Sequence, residues 1–333
     1  LIEPQYSEIL TRKNISLESK LSSRITLTLP VISAPMDTVT ESQMAVSMAN
    51  FGGSGIIHRY NSIEDQCNQY IKSASPSTGA AIGVNDKLNS RALALWNAGC
   101  RYFCIDVAHG HHINVREAIF SLRKLFGSKI TIMAGNVATP ESYLDLASWG
   151  ADIIRVGVGG GSICSTRLET GHGVPTLQSV LDIADTRRNY SNTTKRLPTI
   201  VADGGIKNAG DIVKAIAAGA DAVMLGSMLS GTDETPGGIL GGLKDDAVKI
   251  YRGMASSEAQ MQWRGYTSSE EGISTTVPYK GPVATILRKI EKGMKSGLSY
   301  SGALSIPEFQ DKAILLYQSL SSQNESFTHI LNK

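Results

Sequence analysis

The chain has 333 residues, 41% hydrophobic content and a formal net charge of +2, enough for a sizeable core and too balanced to imply a nucleic acid or membrane-surface partner. No segment is long and apolar enough to span a bilayer. The cysteines at 67, 100, 104 and 164 have no metal-ligand spacing and fit a reducing, cytoplasmic setting; with Leu1 in place of a Met, a few trimmed residues and no signal peptide are expected.

Taken in order, short apolar runs alternate with stretches of helical period. Residues 29–36 are the first run, and 41–50 its helix. Residues 55–58 precede a helix over 62–74, where Ser62 as cap and Glu64 and Asp65 in the first turn mark the start. Runs at 79–84, 102–107 and 130–134 lead to helices over 87–98, 115–126 and 140–149. Residues 153–156 are followed by 176–187, and 199–202 by 208–218. Residues 222–225 form the eighth run.

Eight such units predict an α/β fold, a closed (β/α)8 TIM barrel that takes residues 1–333 as one domain. A doubly wound open sheet would need a crossover reversal and usually fewer parallel strands. Trp-Gly-Ala-Asp at 149–152 and Ala-Gly-Ala-Asp at 218–221 suit helix stops before re-entry to the barrel. After the eighth run the rhythm breaks. Residues 231–280, rich in Gly, Ser and Thr, are expected to form a long loop on the catalytic face, and helix returns at 283–290 to close the barrel. A mobile polar tail is expected from about Ser321.

The sixth run empties into Gly157-Val158-Gly159-Gly160-Gly161-Ser162-Ile163-Cys164-Ser165-Thr166. Glycines let the backbone come close to a ligand, and successive N–H groups with the Ser162 hydroxyl can cradle a phosphate. Cys164 sits on a polar loop, where a reactive thiol belongs, and Thr166 brings a hydroxyl to the same point. Asp203, after the seventh run, offers a carboxylate to a ribose diol. Gly205, Gly226 and Ser227 join Ser162 around one phosphate, which barrels commonly bind after strands seven and eight. Asp37, His58, Arg59, Asp106 and Asn136 are the other polar residues at strand ends. His109, His111 and His112 lack a carboxylate in ligand geometry and are not read as a metal site. Trp263 is expected to pack or to flank a bound base.

Hydrophobic-Gly-x-Gly-x-Gly-Ser-hydrophobic-Cys-x-Thr after a strand resembles the active-site signature of the IMP dehydrogenase / GMP reductase superfamily. Residues 30–41, 57–64, 134–137, 202–206, 251–254 and Glu271-Gly272 ahead of 277–281 resemble its other motifs. The resemblance implies Cys164 as nucleophile, with Thr166 and Glu271 handling protons. It implies substrate contacts at Ser162, Asp203, Gly205, Gly226, Ser227, Met254, Ser256 and Gly272. Cofactor contacts are implied at Arg59, Asp106, Val107, Ala108, Val158 and Gly159. A potassium ion on Gly159, Gly161 and Cys164 with Arg167 nearby, and a homotetramer, are implied in the same way.

Members of the family attack purine C2 with a thiolate. The dehydrogenase passes hydride from IMP to NAD and hydrolyses the adduct with a long flap carrying an adjacent Arg-Tyr pair. The reductase expels ammonia from GMP, takes hydride from NADPH and needs no such flap. Here 253–281 is short and holds Arg264-Gly265-Tyr266. The usual regulatory repeats are absent, and 106–111 and 164–173 are similar to the reductase. In contrast, 35–41, 231–237 and 251–254 are similar to the dehydrogenase. Arg59 stands where the reductase has a lysine, and Val84 where it has a threonine. The balance favours NADPH-dependent conversion of GMP to IMP. The alternatives are an IMP dehydrogenase without its regulatory domain, and a non-catalytic barrel that binds purine nucleotide. Intact Cys164, Thr166 and Glu271 argue against the last.

Overall fold

The computed structural model describes residues 1–73, 75–85, 87–190, 197–242, 246–268 and 270–326. Two short strands, β1 (Ser19–Lys20) and β2 (Thr26–Leu27), pair antiparallel ahead of the barrel. Eight parallel strands then close on themselves. They are β3 (Val31–Ser33), β4 (Ser54–Ile57), β5 (Thr78–Ile82), β6 (Tyr102–Asp106), β7 (Thr131–Val137), β8 (Ile153–Val156), β9 (Thr199–Asp203) and β10 (Ala222–Leu225). β10 pairs with both β9 and β3, which closes the ring. Each strand lies on an apolar run expected from the sequence.

Successive strand side chains point to opposite faces, so each strand feeds two cores. Ile32, Ile56, Tyr102, Met133, Ile153 and Val201 fill the barrel, with Leu21, Ile25 and Leu27 from the β1–β2 hairpin. Val31, Ile57, Phe103, Ile132, Ile154 and Ile200 pack outward under the helices. The hairpin covers the strands' N-terminal ends, where Thr199 Oγ1 donates to the Leu21 carbonyl at 2.8 Å. That end is plugged, so ligands are left the opposite face.

The helices are α1 (Ser42–Asn50), α2 (Ile63–Lys72), α3 (Leu88–Asn97), α4 (Ile113–Phe126), α5 (Pro140–Trp149), α6 (Thr166–Thr170), α7 (Thr176–Tyr190), α8 (Ala209–Ala217), α9 (Ser257–Arg264), α10 (Val283–Tyr300), α11 (Ile306–Lys312) and α12 (Leu320–Glu325). The two Gly-Ala-Asp repeats do the same work twice. Gly150 and Gly219, at φ 108° and 109°, turn the chain after α5 and α8. Asp152 then accepts from Ile132 N at 2.7 Å and Arg123 Nη2 at 2.6 Å, and Asp221 accepts from Ile200 N at 2.7 Å and from Arg187. Each aspartate staples its strand to the one before. α10 closes the ring against α8, where a Cβ on Gly297 would sit 2.6 Å from Val213 Cγ1.

Residues 231–280 are not loop throughout, contrary to expectation. β11 (Val248–Arg252) and β12 (Ser274–Pro278) form an antiparallel pair with α9 between them. The strand signal of β11 is inverted by a buried lysine. Lys249 is 3% exposed and donates to the Thr232 and Thr235 carbonyls at 3.0 and 2.6 Å, while Ile250 is 46% exposed. The tail expected from Ser321 overlaps α12, which Ser319 caps; residues 327–333 lie outside the described residues. Among the described residues no helix is long and apolar enough to cross a membrane.

Candidate active site

A cavity of about 390 Å³ opens at the C-terminal ends of the barrel strands. β8 leads into it through Gly157, where a Cβ would lie 1.9 Å from the Asp203 carbonyl oxygen and φ is 142°. Only glycine lets that turn pass the end of β9. The chain then curls to Cys164, which is exposed. Its thiol donates to Thr166 Oγ1 at 3.2 Å, and that hydroxyl donates to Glu271 Oε2 at 2.8 Å. A hydroxyl between thiol and carboxylate makes a two-step proton path. Glu271 arrives from 105 residues away because backbone bonds stitch its segment to the cysteine loop. Ser165 N donates to the Glu271 carbonyl at 3.1 Å and Ile273 N to that of Ile163 at 3.0 Å.

Beneath the loop lies a buried charge cluster. Arg155, 6% exposed, donates to Asp106 Oδ1 at 2.7 Å and to Asp203 Oδ2 at 2.8 Å. Burial opposes its charge, but Asp203, Cys104 and Asp106 together outweigh that and hold the guanidinium well above its ordinary pKa. Asn136 Nδ2 also donates to Asp203 Oδ2, at 2.8 Å. The ribose-binding candidate is therefore fixed from two sides. Asp106 also sits 3.7 Å from Arg59 Nε. The Arg59 guanidinium is 5.2 Å from the Tyr60 ring centre and 5.4 Å from that of Trp263, and the two rings stack at 4.2 Å. Trp263 thus packs on Tyr60 and lines a neighbouring cavity, not the one beside Cys164.

Ser162, Gly205, Gly226, Ser227 and Met254 line the cavity, as do Val107, Ala108, Val158, Gly159 and Gly161. Ser256 and Gly272 stand behind its wall. Ser256 is 2% exposed and caps α9 by accepting from Ala259 N, while Gly272 bridges to Cys164. Arg167 Nη2 donates to the Val158 and Val174 carbonyls at 3.0 and 2.6 Å, which closes the glycine turn. His111 pairs with Asp145 at 2.8 Å and His112 caps α4. Among the described residues no three His, Cys, Asp or Glu side chains are grouped to hold a metal.

Sequence reasoning assigned no role to Arg155 or Tyr251. The signal for Arg155 was present, a cation inside an apolar run. Tyr251 opens the 251–254 motif, but with β11 unread nothing in the sequence directed its hydroxyl to the phosphate candidates. Its hydroxyl bonds to the Ser162 side chain, and burial pushes its pKa up to about 12. A Cβ on Gly226 would sit 3.0 Å from the same oxygen. Tyr251 therefore stands among the phosphate-binding candidates as a neutral hydroxyl.

A family model described as IMP dehydrogenase / GMP reductase domain matches residues 1–329. An inosine-5'-monophosphate dehydrogenase of Cryptosporidium parvum is 35% identical, covering 99% of this chain and 93% of that protein. A GMP reductase of Leishmania major is 32% identical over 100% of this chain and 96% of its own. A solved structure of Trypanosoma brucei GMP reductase, a cysteine-to-alanine variant in complex with guanosine 5'-monophosphate, superposes with a TM-score of 0.91. It is 30% identical and covers 99% of this chain and 96% of its own. Relatives of both names match almost equally, so they fix the family and leave its two reactions even. With the barrel, the strand-end cavity and these matches in agreement, the chain belongs to the IMP dehydrogenase / GMP reductase family of oxidoreductases.

Proposed function

We propose that the protein is a GMP reductase that converts GMP to IMP and ammonia with NADPH. The observation that carries this reading is the run of hydrogen bonds from Cys164 through Thr166 to Glu271. Cys164 loses its proton along that run and its sulfur attacks C2 of the purine. Glu271 returns the proton through Thr166 to the leaving amine, so ammonia departs neutral. NADPH, when bound, supplies the hydride to C2. The C2–sulfur bond then breaks, IMP leaves and Cys164 is regenerated. The balance is GMP + NADPH + H⁺ to IMP + NADP⁺ + NH₃.

The use made of the rest of the segment supports the reductase over the dehydrogenase. Arg264 donates to Gln260 and Ser268 and lies 4.6 Å from the Tyr266 ring centre, while Tyr266 is 59% exposed. Arg264 reaches the cavity wall but is bonded within its own turn, and Tyr266 lines only the neighbouring cavity, so no adjacent Arg-Tyr pair faces Cys164. Arg59 is paired with Asp106 and offers a planar guanidinium for binding and orientation.

The wall beside Cys164 fits a nicotinamide cofactor. Arg59 Nε, 3.7 Å from Asp106, and Asn136 Oδ1 are buried with no hydrogen-bond partner among the described residues, a donor and an acceptor that a carboxamide can satisfy. Arg59, Asp106, Val107, Ala108, Val158 and Gly159 would hold it. The carbonyl oxygens of Gly159, Gly161 and Cys164 are neutral, hard donors suited to potassium. Arg167 would brace that turn through Val158 and Val174. A homotetramer in the cytoplasm completes the reading, to be tested by sedimentation and cell fractionation.

The deciding assay runs GMP with NADPH beside IMP with NAD, followed by nicotinamide absorbance and ammonia release. We expect NADPH oxidation with one ammonia per turnover, little NAD reduction, and near-complete loss in Cys164→Ser with nucleotide binding retained. Steady formation of XMP from IMP, with no reaction of GMP, would overturn the reading in favour of the dehydrogenase.

A further inference from the structure

The phosphate candidates beside Cys164 include no charged side chain. Ser162, Gly205, Gly226, Ser227 and the Tyr251 hydroxyl are neutral, yet a phosphomonoester brings up to about two negative charges at neutral pH. Three cationic side chains line that cavity, and each is engaged elsewhere. Arg155 is bonded to Asp106 and Asp203, Arg59 is paired with Asp106, and Arg264 is held by Gln260 and Ser268.

Two lysines stand behind the turn that carries Gly226 and Ser227. Lys280 Nζ donates to the Ser227 carbonyl at 2.8 Å and reaches that of Met228 at 3.4 Å. The Ser227 carbonyl and the Met228 amide are the two ends of one peptide group. Neither that amide nor the Ser227 amide donates to an acceptor among the described residues. A cation on a peptide oxygen strengthens the N–H at the other end as a donor. Lys249 acts from one step further back. It is 3% exposed, and its ammonium donates to the Thr232 and Thr235 carbonyls. Thr232 Oγ1 donates in turn to the Leu229 carbonyl at 2.9 Å, and Leu229 N to that of Gly226 at 3.0 Å, so a run of hydrogen bonds joins the ammonium to Gly226.

Neither lysine has a carboxylate partner among the described residues, and Asp233 and Glu234 are taken up by the Tyr279 hydroxyl and the Val283 amide. Burial pushes the Lys249 pKa below the ordinary lysine value, with Asp233 and Glu234 acting the other way. A buried ammonium held by carbonyls is costly, and an anion on the far side of the turn relieves that cost. Tyr251 follows Lys249 by two residues on the inward face of β11. One strand therefore presents both the hydroxyl that meets Ser162 and the cation behind the turn.

We propose that Lys249 and Lys280 are positioning residues for the nucleotide phosphate: they set two positive charges behind the 226–235 turn and deliver them through its peptide groups, so that the site selects the 5′-monophosphate over the nucleoside. This assignment rests on the purine-nucleotide reading of the cavity.

GMP and guanosine are titrated calorimetrically into the full chain, and the ratio of their affinities isolates the phosphate. Lys280→Gln, at an exposed position, should lower that ratio about threefold or more, and Lys280→Arg, which keeps the charge, should restore it. Lys249→Met keeps the aliphatic stem and should lower the ratio about tenfold or more, with its folding checked by melting temperature. Should Lys249→Met fail to fold, the two Lys280 variants decide by themselves. Guanosine affinity should stay unchanged throughout. An unchanged ratio in either neutral variant, an equal loss of GMP and guanosine, or a Lys280→Arg as weak as Lys280→Gln overturns the proposal. Guanosine binding the unaltered chain as tightly as GMP would refute the phosphate placement and the proposal with it, whereas a GMP preference untouched in the variants would refute only the role of the lysines. Because IMP carries the same phosphate, a protein that makes XMP from IMP would refute the reductase reading and leave this result standing.

Discussion

Replacing Arg155 by Met keeps the aliphatic stem and removes the charge that Asp106 and Asp203 share at 2.7 and 2.8 Å. Breaking a buried ion pair costs about 3–5 kcal/mol, because the surviving charge is stranded without water. Here two carboxylates lose one partner, so about 3 kcal/mol is the lower end. At roughly 2 °C per kcal/mol for a chain of this length, the melting temperature should fall by about 6–10 °C. Urea unfolding followed by tryptophan fluorescence reads the stability, and calorimetric titration with GMP reads the site. Asp203 would keep Asn136 but lose its ionic holder, so GMP affinity should fall about tenfold, or ~1.4 kcal/mol. Adding Asp106→Asn should restore part of the stability, since one stranded carboxylate is then neutral. A loss below about 1 kcal/mol in Arg155→Met, with unchanged GMP affinity, would refute the bridging role.

Glu271→Gln keeps the shape of the proton path and removes its carboxylate, so kcat with GMP should fall about 10²- to 10⁴-fold while GMP affinity stays within about threefold. Parallel loss of both would make Glu271 a structural residue. Burial pushes the thiols of Cys100 and Cys104 up to about 12, so both stay protonated at mildly alkaline pH and mass spectrometry should find iodoacetamide on exposed Cys164 well before them. The fold keeps those two protons while the unfolded chain releases them above its thiol value of 9.0, so stability should decline as pH rises from there towards 12, and urea titrations at two alkaline pH values check the sign. Tyr251→Phe removes one hydroxyl bond worth about 0.5–1.5 kcal/mol, which should weaken GMP roughly 2- to 12-fold and leave guanosine unaffected. Equal weakening of both would remove the phosphate from its role.

The barrel was legible because its signal is local and repeated. Alternating burial makes each strand a short apolar run, and eight runs with eight helices leave little topological choice. The glycine turn ending at Cys164 was legible for the same reason, since the eight consecutive residues 157–164 contain it. Contacts between distant segments were not. Asp106, Arg155 and Asp203 lie on β6, β8 and β9, and only closure of the barrel brings their side chains to one point. Glu271 meets Thr166 because the β11–β12 pair folds its segment back onto the cysteine loop, and β11 was hidden by a lysine that faces inward. Trp263 found Tyr60 and Arg59 across the same fold, where sequence offered only a choice between packing and base contact. Periodicity fixes which residues leave water, residue by residue along the chain. Which buried polar group satisfies which depends on the segments that meet once the barrel has closed, and that pairing builds the site.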